Sequence, residues 1–168
     1  MSKNKNILIL NTGGTFNKIY DEISGKLIVP RNNNAINEIL KMSNFTSCEV
    51  QGLLHKDSLE FKKKDRKLLK KIISKSSFQK IIIVHGTDTM DKTAKYLSSF
   101  IKNKTIVLTG AMIPYSINCV EATSNFSLAI GNIISNEKND IFIAMHGNVQ
   151  KYNQIKKNRE IGVFECQK

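Results

Sequence analysis

Residues 11–15 read NTGGT, a pairing of hydroxyl side chains with two glycines that can hold a small ligand. Gly13 and Gly14 remove side-chain bulk and permit unusual backbone angles, so a molecule can lie against the main chain while a neighbouring hydroxyl reaches it. The plainer alternative is a tight strand-to-loop turn, for which Gly-Gly is common punctuation. Three further segments are of the same kind: HGTDTMDKTA at 85–94, LTGAMIPYS at 108–116 and MHGNVQKYNQIKKNR at 145–159. Each contains or follows the end of a short apolar run. Small, hydroxylated and ionisable groups at four such places suit the binding and polarising of a small polar molecule, whereas a bare scaffold has little use for them.

The elements that must position these segments follow from periodicity. Ile7 to Leu10, Ile81 to Val84, Ile106 to Leu108 and Ile141 to Met145 are nearly continuous apolar runs, as expected of parallel strands covered on both faces, and Cys48 to Leu54 is a fifth candidate. Between them, apolar residues recur at helical spacing: Ala35, Ile36, Ile39 and Leu40; Leu68, Leu69, Ile72 and Ile73; Met90, Ala94, Leu97 and Ile101; Ala122, Phe126, Ala129, Ile130 and Ile133. Alternating strand and helix predicts an α/β fold, a three-layer α/β/α sandwich with a mostly parallel sheet. IYDEISGKLIVP at 19–30 predicts an inserted hairpin after the first strand, with Ser24 and Gly25 at its tip. Ligand sites in such folds lie beyond the carboxyl ends of the strands, which is where the four segments fall.

Composition narrows the function classes. The chain has 168 residues, a size that predicts one domain over 1–168, and 40% of them are hydrophobic. No apolar run approaches membrane-spanning length, and MSKNKNILIL has too few apolar residues for a signal peptide, so a cytoplasmic protein without membrane association is expected. Cys48, Cys119 and Cys166 are widely spaced and form no CxxC or Cys/His pattern, which predicts free thiols and no metal site. The formal charge of +12 comes from 23 lysines and only 3 arginines. Bidentate phosphate and base contacts favour arginine, and the densest run, FKKKDRKLLKK at 61–71, reads as the solvated face of a helix. Specific nucleic-acid binding is therefore not expected.

TGGT, HGTDTM and TGAMIP, in this order and spacing, resemble the bacterial L-asparaginase/glutaminase family, whose members hydrolyse side-chain amides through a threonine nucleophile. The resemblance is to the amino-terminal, flavodoxin-like domain of that family and covers essentially the whole chain. It implies no cofactor, a substrate such as L-asparagine, and at least a homodimer, since the family builds its sites at subunit contacts. Thr15 then matches the nucleophile and Tyr20 the tyrosine that hydrogen-bonds it. Thr87 matches the second threonine and Asp88 the aspartate that grips the substrate's α-amino group. Lys157 is the best match for the lysine paired with the second threonine, with Lys156 one residue away. Ser58 matches a serine that binds the α-carboxylate, with Asp57 beside it. Gly14 offers a backbone amide to the oxyanion, and Ala111 a carbonyl to the substrate amide.

That chemistry asks for these groups. An amide is a poor electrophile and a threonine hydroxyl a poor nucleophile, so a proton acceptor and donors aimed at the developing oxyanion are needed. Each residue also has a purely structural alternative. Thr15, Asp88 and Ser58 could cap turns or helices, Tyr20 could pack in the hairpin, and Lys157 could be one more surface lysine. Two motifs depart from the family: Ile113 stands where its arginine is usual, and EATSN at 121–125 stands for DGPxN. The carboxyl-terminal domain of the family finds no counterpart before GVFECQK. A non-catalytic binder of a small amino acid or dicarboxylate is the alternative expectation, and a basic interaction domain a third.

Overall fold

The computed structural model describes residues 6–167. The basic opening at 1–5, which enters the signal-peptide expectation, and residue 168 lie outside the described residues.

The chain runs β1 (Ile7–Gly13), β2 (Ile19–Asp21), β3 (Lys26–Ile28), α1 (Asn34–Met42), β4 (Cys48–Lys56), α2 (Lys63–Lys75), β5 (Lys80–Val84), α3 (Met90–Ser98), β6 (Thr105–Thr109), α4 (Cys119–Ser135), β7 (Ile141–Met145), β8 (Asn148–Lys151), β9 (Ile155–Asn158) and β10 (Val163–Cys166). The main sheet has the order β4-β1-β5-β6-β7-β8. Its first five strands are parallel and β8 adds an antiparallel edge. Counting parallel strands in chain order, this is 2-1-3-4-5, the flavodoxin-like arrangement, so the expected sandwich is the one observed.

Alternation along the strands builds two cores. Ile7, Ile9, Ile82, Val84, Val107, Phe142 and Ala144 face one way, onto Ile36, Ile39 and Leu40 of α1 and Ala122, Phe126, Ala129 and Ile133 of α4. Leu8, Leu10, Ile81, Ile83, Ile106, Leu108, Ile143 and Met145 face the other way, onto Leu69 and Ile73 of α2 and Met90, Ala94 and Leu97 of α3. Both faces being covered explains why the central strands read as unbroken apolar runs. Helix starts are fixed by local bonds. Asp65 accepts the Lys62 backbone N–H at 2.8 Å at the start of α2, and Asn118 accepts from Val120 at 3.0 Å at the start of α4. The lysines of α2 line its outer side, as expected, although Leu68 is exposed with them. No helix among the described residues is long and apolar enough to cross a membrane.

The hairpin forms as a separate two-stranded ladder of β2 and β3, with Tyr20 opposite Leu27 and Gly25 at φ 66 in its turn. β4 extends two residues beyond the expected Leu54, and α3 stops at Ser98, leaving Ile101 buried in the following turn. β8, β9 and β10 are not foreseen from the sequence. Their short runs mix polar residues with isolated apolar ones, of which Ile155 and Phe164 are buried, so no period marks them, and cross-strand pairing, Lys157 opposite Phe164 and Met145 opposite Asn148, defines them.

Candidate active site

The strand order reverses between β1 and β5, and the segments that leave these two strands meet there. Gly13 and Gly14 have φ of 98° and 78°, conformations that L side chains rarely adopt. A Cβ on Gly14 would sit 2.5 Å from the backbone of Gly86, so the two loops touch main chain to main chain. A Cβ on Gly86 would in turn sit 2.6 Å from the Ser58 Cβ, and one on Gly110 would sit 2.3 Å from the carbonyl oxygen of His85. Four separate chain segments, 13–15, 57–58, 85–88 and 110–111, are thereby packed into one ridge at the carboxyl end of the sheet.

Thr15 opens a single 3-10 turn, Thr15–Asn17, closed by Asn17 N–H to the Gly14 carbonyl at 3.1 Å. Behind it is an amide cluster not foreseen from the sequence. Asn11 and Asn17 exchange side-chain hydrogen bonds at 3.1 and 2.9 Å, and Asn11 also donates to Asn33 at 2.9 Å. Asn17 donates to the Gly13 carbonyl at 2.8 Å, and Asn11 accepts the Gly13 N–H at 3.1 Å, so the glycine turn is held at both its donor and its acceptor. The Thr15 side chain is half-buried and makes no hydrogen bond with a described residue. Tyr20 lies on β2, 62% exposed, with its hydroxyl 3.9 Å from where a Gly25 Cβ would sit. Its pairing with Leu27 places it on the hairpin, and it forms no hydrogen bond to Thr15.

Ser58 and Asp57 leave the end of β4. Ser58 is 1% exposed, and its hydroxyl oxygen has no hydrogen-bond partner among the described residues. Its carbonyl accepts the Thr89 hydroxyl at 2.8 Å, which ties this turn to the β5 loop. An unpaired buried hydroxyl is costly. Asp57 caps the same turn, accepting the Leu59 N–H at 3.2 Å and pairing with Lys18 at 2.7 Å. Burial works to raise the Asp57 pKa, but the Lys18 ammonium and the backbone donors outweigh it and hold the carboxyl below its ordinary value.

Thr87 and Asp88 leave β5, and a cation from the far end of the chain reaches both. The Lys157 ammonium donates to the Thr87 Oγ1 at 2.9 Å and to the Asp88 Oδ1 at 2.8 Å. Of the two adjacent lysines, Lys157 makes these contacts while Lys156 stays exposed. Arg159, to which the sequence analysis assigns no role, donates to the same Asp88 Oδ1 at 3.1 Å and to the Asp88 carbonyl at 2.8 Å. A recess of about 30 Å³, room for one water, is lined by Thr87, Asp88, Asp91, Lys156, Lys157, Arg159 and Phe164. A broad open hollow of about 840 Å³ lies along the β9–β10 hairpin beside it.

Two histidines at strand ends hold the loops. His85 is fully buried against Phe61, with Nδ1 2.8 Å from the Gly86 carbonyl and Nε2 2.9 Å from the Thr93 hydroxyl. Thr93 Oγ1 accepts from Arg66 at 3.0 Å, so its own proton goes to Nε2 and the His85 proton sits on Nδ1, donated to Gly86. Burial lowers the His85 pKa to about 4 and keeps the ring neutral. His146 accepts the Phe164 N–H on Nδ1 at 3.1 Å, so its Nε2 proton is donated to Glu121 at 2.9 Å. Glu121 also accepts the N–H groups of Met112 and Ile113, at 2.8 and 2.9 Å. Asn125 donates to the Gly110 carbonyl at 3.0 Å and accepts the His146 N–H at 2.9 Å. EATSN, a departure in sequence, thus clasps the 110–113 loop that carries the buried Ala111. Among the described residues, no group of three or more His, Cys, Asp or Glu side chains is placed to hold a metal ion.

The architecture and this convergence define an α/β sandwich protein whose polar loop residues gather at the switch point of its sheet. The chain belongs to the asparaginase family: residues 6–163 match the family model described as "Asparaginase, N-terminal". The L-asparaginase of Thermococcus kodakarensis is 28% identical over 133 residues, 74% of this chain and 39% of that protein. The glutaminase-asparaginase of Acinetobacter glutaminasificans is 27% identical over 147 residues, 79% of this chain and 43% of that protein. In three dimensions the chain superposes on the solved Thermococcus kodakarensis L-asparaginase with a TM-score of 0.80 at 24% identity, covering 95% of this chain and 50% of that one. The chain thus spans less than half the length of these curated relatives.

Proposed function

We propose that this protein is an asparaginase-type amidohydrolase acting on the side-chain amide of L-asparagine or a related small amide. The observation that carries the reading is the Lys157 ammonium bridging Thr87 Oγ1 and Asp88 Oδ1, a cation, hydroxyl and carboxylate brought together beside the glycine turn. Thr15 attacks the amide carbon once Lys157 has given up a proton to solvent, and the Thr15 proton passes by way of the Thr87 hydroxyl to the resulting amine, which later returns it to the leaving nitrogen. The Gly14 N–H, expected to serve the oxyanion, is instead given to the Lys56 carbonyl at 2.9 Å, so the tetrahedral oxyanion is met by the backbone N–H groups of Thr15 and Thr87. Collapse breaks the C–N bond, the nitrogen takes a proton and leaves as ammonia, and water cleaves the Thr15 ester to the acid. The Ser58 hydroxyl binds the substrate α-carboxylate, with Asp57 beside it, and Asp88 faces the α-ammonium. Ala111 lends its carbonyl to the amide nitrogen.

Two features support completion of the site by a second polypeptide. Tyr20 is exposed, and so are Ile19, Leu27 and Ile28 on the same hairpin. We place a homodimer or larger homo-oligomer on this surface, with an asparaginase amino-terminal-type domain in each copy. A cytoplasmic location accords with Cys48, Cys119 and Cys166, none of which is joined in a disulfide among the described residues.

A second reading is a non-catalytic binder of a small amino acid or dicarboxylate. It is favoured by the Thr15 hydroxyl, which has no base within hydrogen-bond reach among the described residues. Ammonia release from L-asparagine and L-glutamine, run beside calorimetric binding of L-aspartate, separates the two. The enzyme reading requires ammonia release that Thr15→Ala abolishes with aspartate binding largely intact. Aspartate binding with no ammonia from either amide leaves the binder.

A further inference from the structure

Asp88 carries more positive charge than the recognition of an ammonium group calls for. Its Oδ1 accepts from Lys157 at 2.8 Å and from Arg159 at 3.1 Å, while the second arm of the Arg159 guanidinium takes the Asp88 carbonyl at 2.8 Å. The recess around it is lined by three cations, Lys156, Lys157 and Arg159, against two carboxylates, Asp88 and Asp91. Lys157 is tied to Thr87 as well and is only 13% exposed, whereas Arg159 is 61% exposed and reaches in from the loop that follows β9. The two cations therefore differ in role: Lys157 is built into the site, and Arg159 covers it.

We propose that Arg159 is a specificity-determining residue that turns the site away from a free α-ammonium. By this inference, the favoured substrates are ω-amides of dicarboxylic acids whose α-carbon bears no charged amine. The inference rests on the asparaginase-type reading, in which Asp88 is the group offered to the substrate's ammonium. An ammonium arriving at Asp88 finds a carboxylate shared between two cations, and must either displace the guanidinium or settle for the outer oxygen beside it. A ligand with hydrogen at that carbon meets no such competition, and its carboxylates are drawn by the excess positive charge. Because Arg159 is mostly solvated, its grip on Asp88 is worth a modest factor, about threefold to fivefold in relative affinity.

The test is calorimetric binding of L-aspartate and of succinate to the full chain at pH 7, for the wild type, Arg159→Asn and Arg159→Lys. The quantity read is the aspartate Kd divided by the succinate Kd. A merely structural role for Arg159 would weaken both ligands together and leave that ratio alone. In Arg159→Asn the ratio falls about threefold to fivefold, and Arg159→Lys, which keeps the charge, stays within twofold of the wild type. A ratio unmoved or raised in Arg159→Asn overturns the inference while the asparaginase-type reading stands, because both ligands are bound. A lysine variant that loses the bias as fully as the asparagine variant overturns its electrostatic origin. If neither ligand binds any of the three proteins, the asparaginase-type reading fails and the inference falls with it.

Discussion

The Lys157 ammonium lies 2.9 Å from the hydroxyl oxygen of Thr87, although 70 positions separate the two residues in the chain. The β9–β10 ladder makes this possible, pairing Lys157 with Phe164, whose own N–H is held by His146 at 3.1 Å. Lys157→Met removes the cation and keeps the apolar stem. We expect ammonia release from L-asparagine to fall by about a hundredfold or more in kcat, the scale of losing a proton-transfer group, with a smaller change in KM. Steady-state kinetics check this, and an unchanged kcat would remove Lys157 from the chemistry.

Ser58→Ala separates stability from binding. The hydroxyl is buried without a partner, so its loss removes a desolvation cost and no described hydrogen bond of that oxygen. The unfolding free energy should stay within about 0.5 kcal/mol of the wild type or rise, by chemical denaturation. Aspartate affinity should drop about fivefold to tenfold, one hydrogen bond to a charged group. A variant that unfolds easily and binds normally would make Ser58 structural.

Gly14→Ala should be among the most damaging single-methyl changes in the chain. The new Cβ meets the Gly86 backbone at 2.5 Å, and φ is 78°, so neither space nor conformation accommodates it. We expect a loss of about 2 kcal/mol or more, read as a lowered denaturation midpoint. Gly131→Ala, where a Cβ meets nothing within 4 Å on a helix, is the control and should be neutral or slightly stabilising.

His85 sets a pH dependence of stability. Burial lowers its pKa from 6.5 to about 4, so between these values the unfolded chain binds a proton that the folded chain does not. Stability from this group is complete above pH 6.5 and is lost as pH falls towards 4, by an amount on the order of 3 kcal/mol. Asp57, Asp65 and Asp140, all held below their ordinary 3.8, lose their contributions only at lower pH. Denaturation midpoints measured from pH 7 to pH 4 should therefore decline, and His85→Gln should flatten that decline. An equal slope in the variant would assign it to other groups.

Periodicity alone carried the five parallel strands of the main sheet and the helices. A strand buried on both faces must be apolar throughout, and a helix with one buried face must repeat its apolar residues near every 3.6 positions, so Ile81 to Val84 and the Ala122 to Ile133 series declare themselves. The glycine turn after β1 and the loop after β5 were legible for a related reason. Gly14 and Gly86 are required by close contact, the first with the Gly86 backbone and the second with Ser58, and such a demand leaves its mark in residue type. What the sequence by itself could not determine is which polar side chains meet. The pairing of Arg159 with Asp88, the Asn11–Asn17 amide pair, and the clasp of Glu121 and Asn125 on the 110–113 loop join residues from different elements. Hydrogen bonds and ion pairs between distant positions impose no period on the chain. Lys157 was told from Lys156 only when β9 paired with β10, because adjacent residues of a strand point to opposite sides and one-residue register is fixed by the partner strand.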